Sequence, residues 1–69
     1  MIKVDSIDNM GENKYKVSLF ADTKAEVLTA TSEDIKGFPA GGIIEQGSSV
    51  LTASAELAFM KSDGTWNWV

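Results

Sequence analysis

The sequence predicts a mainly β fold: a small antiparallel sheet, or a partly closed barrel, with a C-terminal hairpin and one short helical turn. Three observations lead there. Lys14 to Ala21 alternates, with Tyr15, Val17, Leu19 and Ala21 on one face and Lys14, Lys16 and Ser18 on the other; only Phe20 breaks the polar side. Near the end, Ser62-Asp63-Gly64 separates Phe59-Met60-Lys61 from Thr65-Trp66-Asn67-Trp68-Val69, which is a turn between two apolar runs. The best helix start, Thr31-Ser32-Glu33-Asp34, is followed so soon by Gly37 and Pro39 that it can hold about one turn.

The elements follow in order. Ile2 to Ile7 alternates loosely, with Ile2 and Val4 opposite Lys3 and Asp5, and predicts a strand. Asp8 to Asn13 is polar and contains Gly11, so this strand and Lys14–Ala21 are expected to form a loose hairpin. Thr23 to Thr29 mixes helix formers with β-branched Thr23, Val27 and Thr29, and a strand is expected over Glu26–Thr29. Thr31 or Ser32 then caps the helical turn, whose first residues Glu33 and Asp34 suit the helix dipole. Gly37 to Gly42 is a turn-rich connector, Ile43 and Ile44 follow, and Glu45-Gln46-Gly47 turns again. Ser48 to Met60 reads as two short strands broken near Ser54 and Ala55, or one bent strand.

Two registers suit the last hairpin. A two-residue Asp63-Gly64 loop sets Lys61 opposite Trp66 and Phe59 opposite Trp68, so that Leu57, Phe59, Trp66 and Trp68 share a face. A three-residue loop with a bulge at Gly64 pairs Met60 with Trp66 and Ala58 with Trp68 instead. The first gathers the large apolar groups better and is the expected register. A slip of one residue would reverse every side chain.

With 69 residues, the chain is one domain spanning 1–69, with no repeat, linker or low-complexity segment. A domain this short buries only about 60% of its unfolded surface and often relies on a disulfide, a metal or a partner subunit. The sequence has no Cys and no His. That removes disulfides, thiolate metal sites and the commonest general base and metal ligand. A partner subunit remains as the expected support.

The formal charge is -4, and all six basic residues are Lys, so Arg is absent from the chain. Arg is the preferred donor to phosphates and guanines, so no nucleic-acid partner is expected. Met1-Ile2-Lys3-Val4-Asp5 opens no apolar leader, and no stretch approaches the ~18 apolar residues of a membrane span. The expectation is a protein that begins inside a cell and has no membrane partner.

No enzymatic activity, catalytic residue, cofactor or metal is expected. Glu33 and Asp34 are explained by helix capping and Asp63 by its turn. Asp5, Asp8, Asn9, Glu12 and Asn13 are rich in oxygen, but their spacing is not that of an EF-hand loop. Gly37, Gly41, Gly42 and Gly47 have no Lys-Ser or Lys-Thr in the place a phosphate loop requires. The aromatic residues carry more weight. Tyr15, Phe20, Phe59, Trp66 and Trp68 can form the core, a subunit or partner interface, or a carbohydrate platform. Trp66 and Trp68 stand on the last strand, an apolar edge that a stable protein must pair or cover. The expected interface is therefore Leu57, Phe59, Trp66, Trp68, Tyr15 and Phe20.

Two stretches carry a resemblance. One is Gly47-Ser48-Ser49-Val50-Leu51-Thr52-Ala53-Ser54 followed by Met60-Lys61-Ser62-Asp63-Gly64-Thr65-Trp66; the other is Tyr15-Lys16-Val17-Ser18-Leu19-Phe20-Ala21-Asp22. The chain resembles the small structural proteins of the head and tail modules of tailed bacteriophages and prophages. The resemblance implies a virion structural or assembly protein. Its partners would be copies of itself or other virion proteins, and its location the bacterial cytoplasm during assembly and then the virion. No catalytic residues come with it. Two other readings stand beside this one: a small β module that binds a carbohydrate or a peptide, and a small inhibitor or regulator of a host protein.

Overall fold

A computed structural model describes all 69 residues, Met1–Val69. Seven strands form one sheet: β1 (Ile2–Gly11), β2 (Lys14–Ala21), β3 (Ile35–Lys36), β4 (Ile43–Ile44), β5 (Ser49–Thr52), β6 (Leu57–Met60) and β7 (Trp66–Trp68). Helix α1 (Lys24–Thr29) and a 3-10 turn (Ser32–Asp34) lie between β2 and β3. The strand order is β3-β1-β2-β5-β6-β7, with β4 also on β2. The fold is mainly β, as the sequence predicts.

The sheet is mixed and open, not an all-antiparallel sheet or a closing barrel. Pairs β1/β2, β5/β6 and β6/β7 are antiparallel, while β1/β3, β2/β4 and β2/β5 are parallel. The cause is the segment 22–42. It leaves the end of β2, crosses one face of the sheet through α1, and returns the chain to the start of β2, so the next strands run alongside it in the same direction.

Strand β1 continues to Gly11, and its turn to β2 is tight rather than the loose loop expected. Gly11 pairs with Lys14, and Glu12 and Asn13 both take positive φ, 56° and 62°. This is the primed turn that matches the twist of an antiparallel pair.

Residues 26–29 are helical, not a strand. Thr23 and Glu26 close a capping box: the Glu26 N–H donates to Thr23 Oγ1 at 3.3 Å, and the Thr23 N–H donates to Glu26 Oε1 at 3.5 Å. Two donors at the helix start are satisfied this way, which outweighs the modest strand preference of Val27 and Thr29. The 3-10 turn begins after Thr31 as expected, and the Asp34 carboxylate accepts the Thr31 N–H at 2.8 Å.

Strands β4 and β5 lie end to end on one edge of β2, and residues 45–48 loop out between them. The Ser48 hydroxyl fills the gap in the ladder, accepting the Val17 N–H at 2.9 Å. This explains why a polar residue is almost fully buried there. The break near Ser54 and Ala55 falls between β5 and β6, as the sequence suggests.

The C-terminal hairpin adopts the register that was not expected. Met60 pairs with Trp66, Phe59 with Asn67 and Ala58 with Trp68. The Gly64 N–H donates to Lys61 O at 3.1 Å, and the Lys61 N–H donates to Thr65 O at 2.8 Å. With Gly64 at φ 85°, this is a three-residue loop with a glycine bulge. Asp63 fixes it locally, accepting the Thr65 hydroxyl at 2.6 Å and its N–H at 3.0 Å. The turn therefore decides the register over the gathering of large apolar groups.

One face of the sheet holds the core. Ile2, Val17, Leu19, Ala21, Val50 and Ala58 point inward and meet Val27, Ile35 and Phe38 from the crossing segment. Only 12 of 69 residues are buried, and two of these, Ser48 and Thr52, are polar. The core is as thin as the chain length predicts.

Candidate functional site

Alternation along the strands divides the expected interface residues between the two faces. Tyr15, Trp66 and Trp68 lie on the inner face, packed against the core and half-buried. Phe20, Leu57 and Phe59 lie on the outer face. The expectation that Leu57, Phe59, Trp66 and Trp68 share a face is corrected, because the register places the tryptophans beside Ala58 and Met60.

On the inner face, Tyr15 meets Phe38 edge-on, with ring centroids 5.5 Å apart at 75°. Phe38 lies so close to Gly42 that a Cβ there would sit 2.9 Å from its ring. Beside them opens an apolar cleft of about 250 Å³, lined among others by Leu19, Val27, Ile44, Met60 and Trp66. The polar groups at its rim are engaged: the Ser32 hydroxyl accepts the Gly41 N–H at 2.9 Å. Trp68 is covered by Lys24, whose Nζ lies 4.9 Å from its ring centroid, and its indole N–H is buried with no acceptor in the chain.

The outer face is different. In register, Lys36 neighbours Lys3, Lys3 neighbours Phe20, Phe20 neighbours Leu51, and Leu51 neighbours Leu57. Phe59 stands two residues from Leu57 on the same strand face. Four large apolar side chains thus adjoin across β2, β5 and β6 with no element over them. Leu51 is 45% exposed and Phe59 43%. The Lys3 Nζ lies 5.9 Å from the Phe20 ring centroid and edges the apolar row with charge. Leu51 was not among the expected interface residues. Its alternation with Val50 and Thr52 could have identified it.

The β7 edge is open. Val69 N–H donates to Leu57 O, and Lys61 N–H donates to Thr65 O. Antiparallel alternation then turns the backbone groups of Trp66 and Trp68 away from β6.

Charge is clustered at the start of α1. The amino group of Met1 contacts the Asp22 carboxylate and donates to Glu26 Oε2 at 2.9 Å. Its hydrogen bonds to the Asp22 and Glu26 carboxylates raise the Met1 amine above its ordinary pKa. The ammonium, with the Asp22 N–H, holds the Glu26 carboxyl below the ordinary glutamate value. Asp63 is lowered by its bonds from Thr65. No group of three or more acidic side chains converges in a way that could hold a metal ion. No helix is long and apolar enough to cross a membrane.

Comparison with known proteins finds no counterpart: no family model, no curated protein and no solved structure matches the chain.

Proposed function

We propose that this chain is a non-enzymatic structural or assembly protein of a tailed bacteriophage or prophage, acting through contacts with its own copies or with a larger shell. The observation that carries the interaction role is the uncovered row of Phe20, Leu51, Leu57 and Phe59 on the outer face. A thin core gains from any neighbour that covers such a row, because association stabilises the folded subunit by mass action. The phage context rests on the resemblance of the segments around Tyr15–Asp22, Gly47–Ser54 and Met60–Trp66. On this reading the protein works in the bacterial cytoplasm during assembly and afterwards in the virion; the Arg-free, acidic composition and the lack of a long apolar stretch support a role without a nucleic-acid or membrane partner.

A small binding module is the second reading, and the inner cleft is the feature that favours it. At about 250 Å³ the cleft falls short of the ~300–1,000 Å³ usual for small-molecule pockets, and its nearest hydroxyl is already bonded. The outer row is the stronger feature.

Light scattering on a sizing column, over a range of concentrations, tests the proposal. The expected result is a mass that rises with concentration to a multiple of the chain mass. A monomer at every concentration that also fails to bind isolated phage particles would overturn it.

A further inference from the structure

The sheet leaves backbone groups unpaired along β1 and along β7, and only the first of these margins is guarded. On β2 the Val17 N–H donates to Ser48, Tyr15 O accepts from Glu45 and Ala21 O accepts from Ala53. The odd-numbered residues of β2 therefore face β4 and β5, and the even-numbered ones face β1. In register, Ser6 and Asp8 bond to β2, so Ile7 and Asn9 turn their backbone groups outward, while β3 pairs only with Ile2 and Lys3. Register irregularities break this margin between Val4 and Ser6 and between Asn9 and Gly11, and Asp5 and Asp8 stand on it. Bulges and charges of this kind keep other strands away.

Strand β7 has neither device. Its ladder to β6 is bonded at Thr65 and again at Val69, so Trp66 and Trp68 direct their N–H and C=O groups to the open side. Trp66, Asn67 and Trp68 are uncharged and pair with β6 without a register shift. Lys61 and Asp63 at the turn pair with each other at 3.9 Å, and Lys24 lies over the Trp68 ring. Both tryptophans are only half-buried on the inner face.

We propose that β7 pairs with β7 of a second copy, antiparallel about a two-fold axis at Asn67. This rests on the self-assembly reading above and assigns one of its contacts. The register that sets Trp66 against Trp68 of the partner subunit bonds all the free groups of both strands. Moving the axis to Trp66 would set Trp68 against Gly64, whose N–H already donates to Lys61 O, and bonds would be lost. At the axis the two Asn67 amides face each other and can hydrogen-bond. The axis also places Lys24 of the two copies at opposite ends of the joined strands. An unrelated extended strand could take the same backbone bonds, but it would not bring a second half-buried tryptophan pair against the first. Three residues of strand pairing are marginal alone. Phe59, the β6 neighbour of Asn67, flanks the axis on both copies, so the edge acts together with the outer row.

Charge exchange at the axis tests the geometry. Asn67 is exposed, and Asn67→Asp and Asn67→Lys each set like charges across a pair whose Cα atoms are about 4.5 Å apart. Each variant alone should associate about fivefold or more weakly than the parent chain. Their equimolar mixture should recover the parent affinity, because unlike charges then meet. Circular dichroism at dilution should show both variants folded. A synthetic chain methylated on the Trp68 amide nitrogen is the second probe, since it removes an outward donor and keeps the bonds to β6; it too should associate more weakly. If the parent chain associates and these changes leave it as strong, or if the mixture does not recover, the two-fold edge contact is wrong while self-assembly stands. If the parent chain is monomeric throughout, both fail.

Discussion

The two faces of this one sheet draw on the same strands and reach opposite ends. Along β2, Val17, Leu19 and Ala21 are buried beneath α1 and Phe38, while Phe20, between them, is only half covered. Along β5 and β6, Val50 and Ala58 are fully buried, while Leu51 and Phe59 are open to solvent. The other side keeps Phe20, Leu51, Leu57 and Phe59 among the polar residues Lys14, Lys16, Ser18 and Ser49 that the same alternation turns outward. A chain of this length has one crossing segment, residues 22–42, and it can cover only one face. The outer apolar row is left uncovered by the chain itself, and this is the observation on which the proposed contact with a neighbour rests.

Substitutions on the two faces should separate these roles. The largest effect is expected inside: Leu19→Ala should cost about 2–5 kcal/mol in urea unfolding, a large part of a small domain's stability. Next is the seam between β4 and β5. Ser48→Ala leaves the Val17 N–H buried without its acceptor and should cost about 1–3 kcal/mol by the same measurement. Far from either face, Ala55→Gly should raise stability by about 0.5–1 kcal/mol. Ala55 holds φ at 64° in a loop with the same bond pattern as the one in which Gly64 stands at 85°.

The smallest expected effect is on pH dependence. Glu26 is held below its ordinary value of 4.5, so its contribution is present above that pH and fades as pH falls through the folded value. The Met1 amine is raised above 8.0, so its contribution is present below that pH and fades as pH rises through the folded value. Both act fully only between these limits. Glu26→Gln should flatten the acid side of the stability profile, measured by thermal unfolding from pH 3 to pH 7 as roughly the span of carboxylate titration.

Much of this was legible in the sequence. The alternation of Lys14–Ala21 set the central strand, and the Gly37 and Pro39 signals confined the second helical segment to one turn. The parallel pairings were not legible, because they depend on where residues 22–42 carry the chain rather than on any local period. Helix α1 had a signal, the Thr23 and Glu26 spacing of a capping box, but the β-branched residues beside it pointed the other way. The last hairpin turned on one residue of loop length. Both registers suit Asp63-Gly64, and the Asp63 bonds to Thr65 select the bulged one. That choice moved Trp66 and Trp68 to the inner face and left Phe20, Leu57 and Phe59 outside, so the candidate interface was half legible.

The central claim is that the inner face holds the fold and the outer face holds a neighbour. Phe59→Asp tests it most directly when mass and stability are measured on the same sample. Sedimentation equilibrium should show the variant monomeric where the parent chain associates. At dilution, where both are monomeric, their unfolding free energies should agree within about 0.5 kcal/mol. A variant that associates like the parent, or one that loses its fold along with its neighbours, would contradict the account.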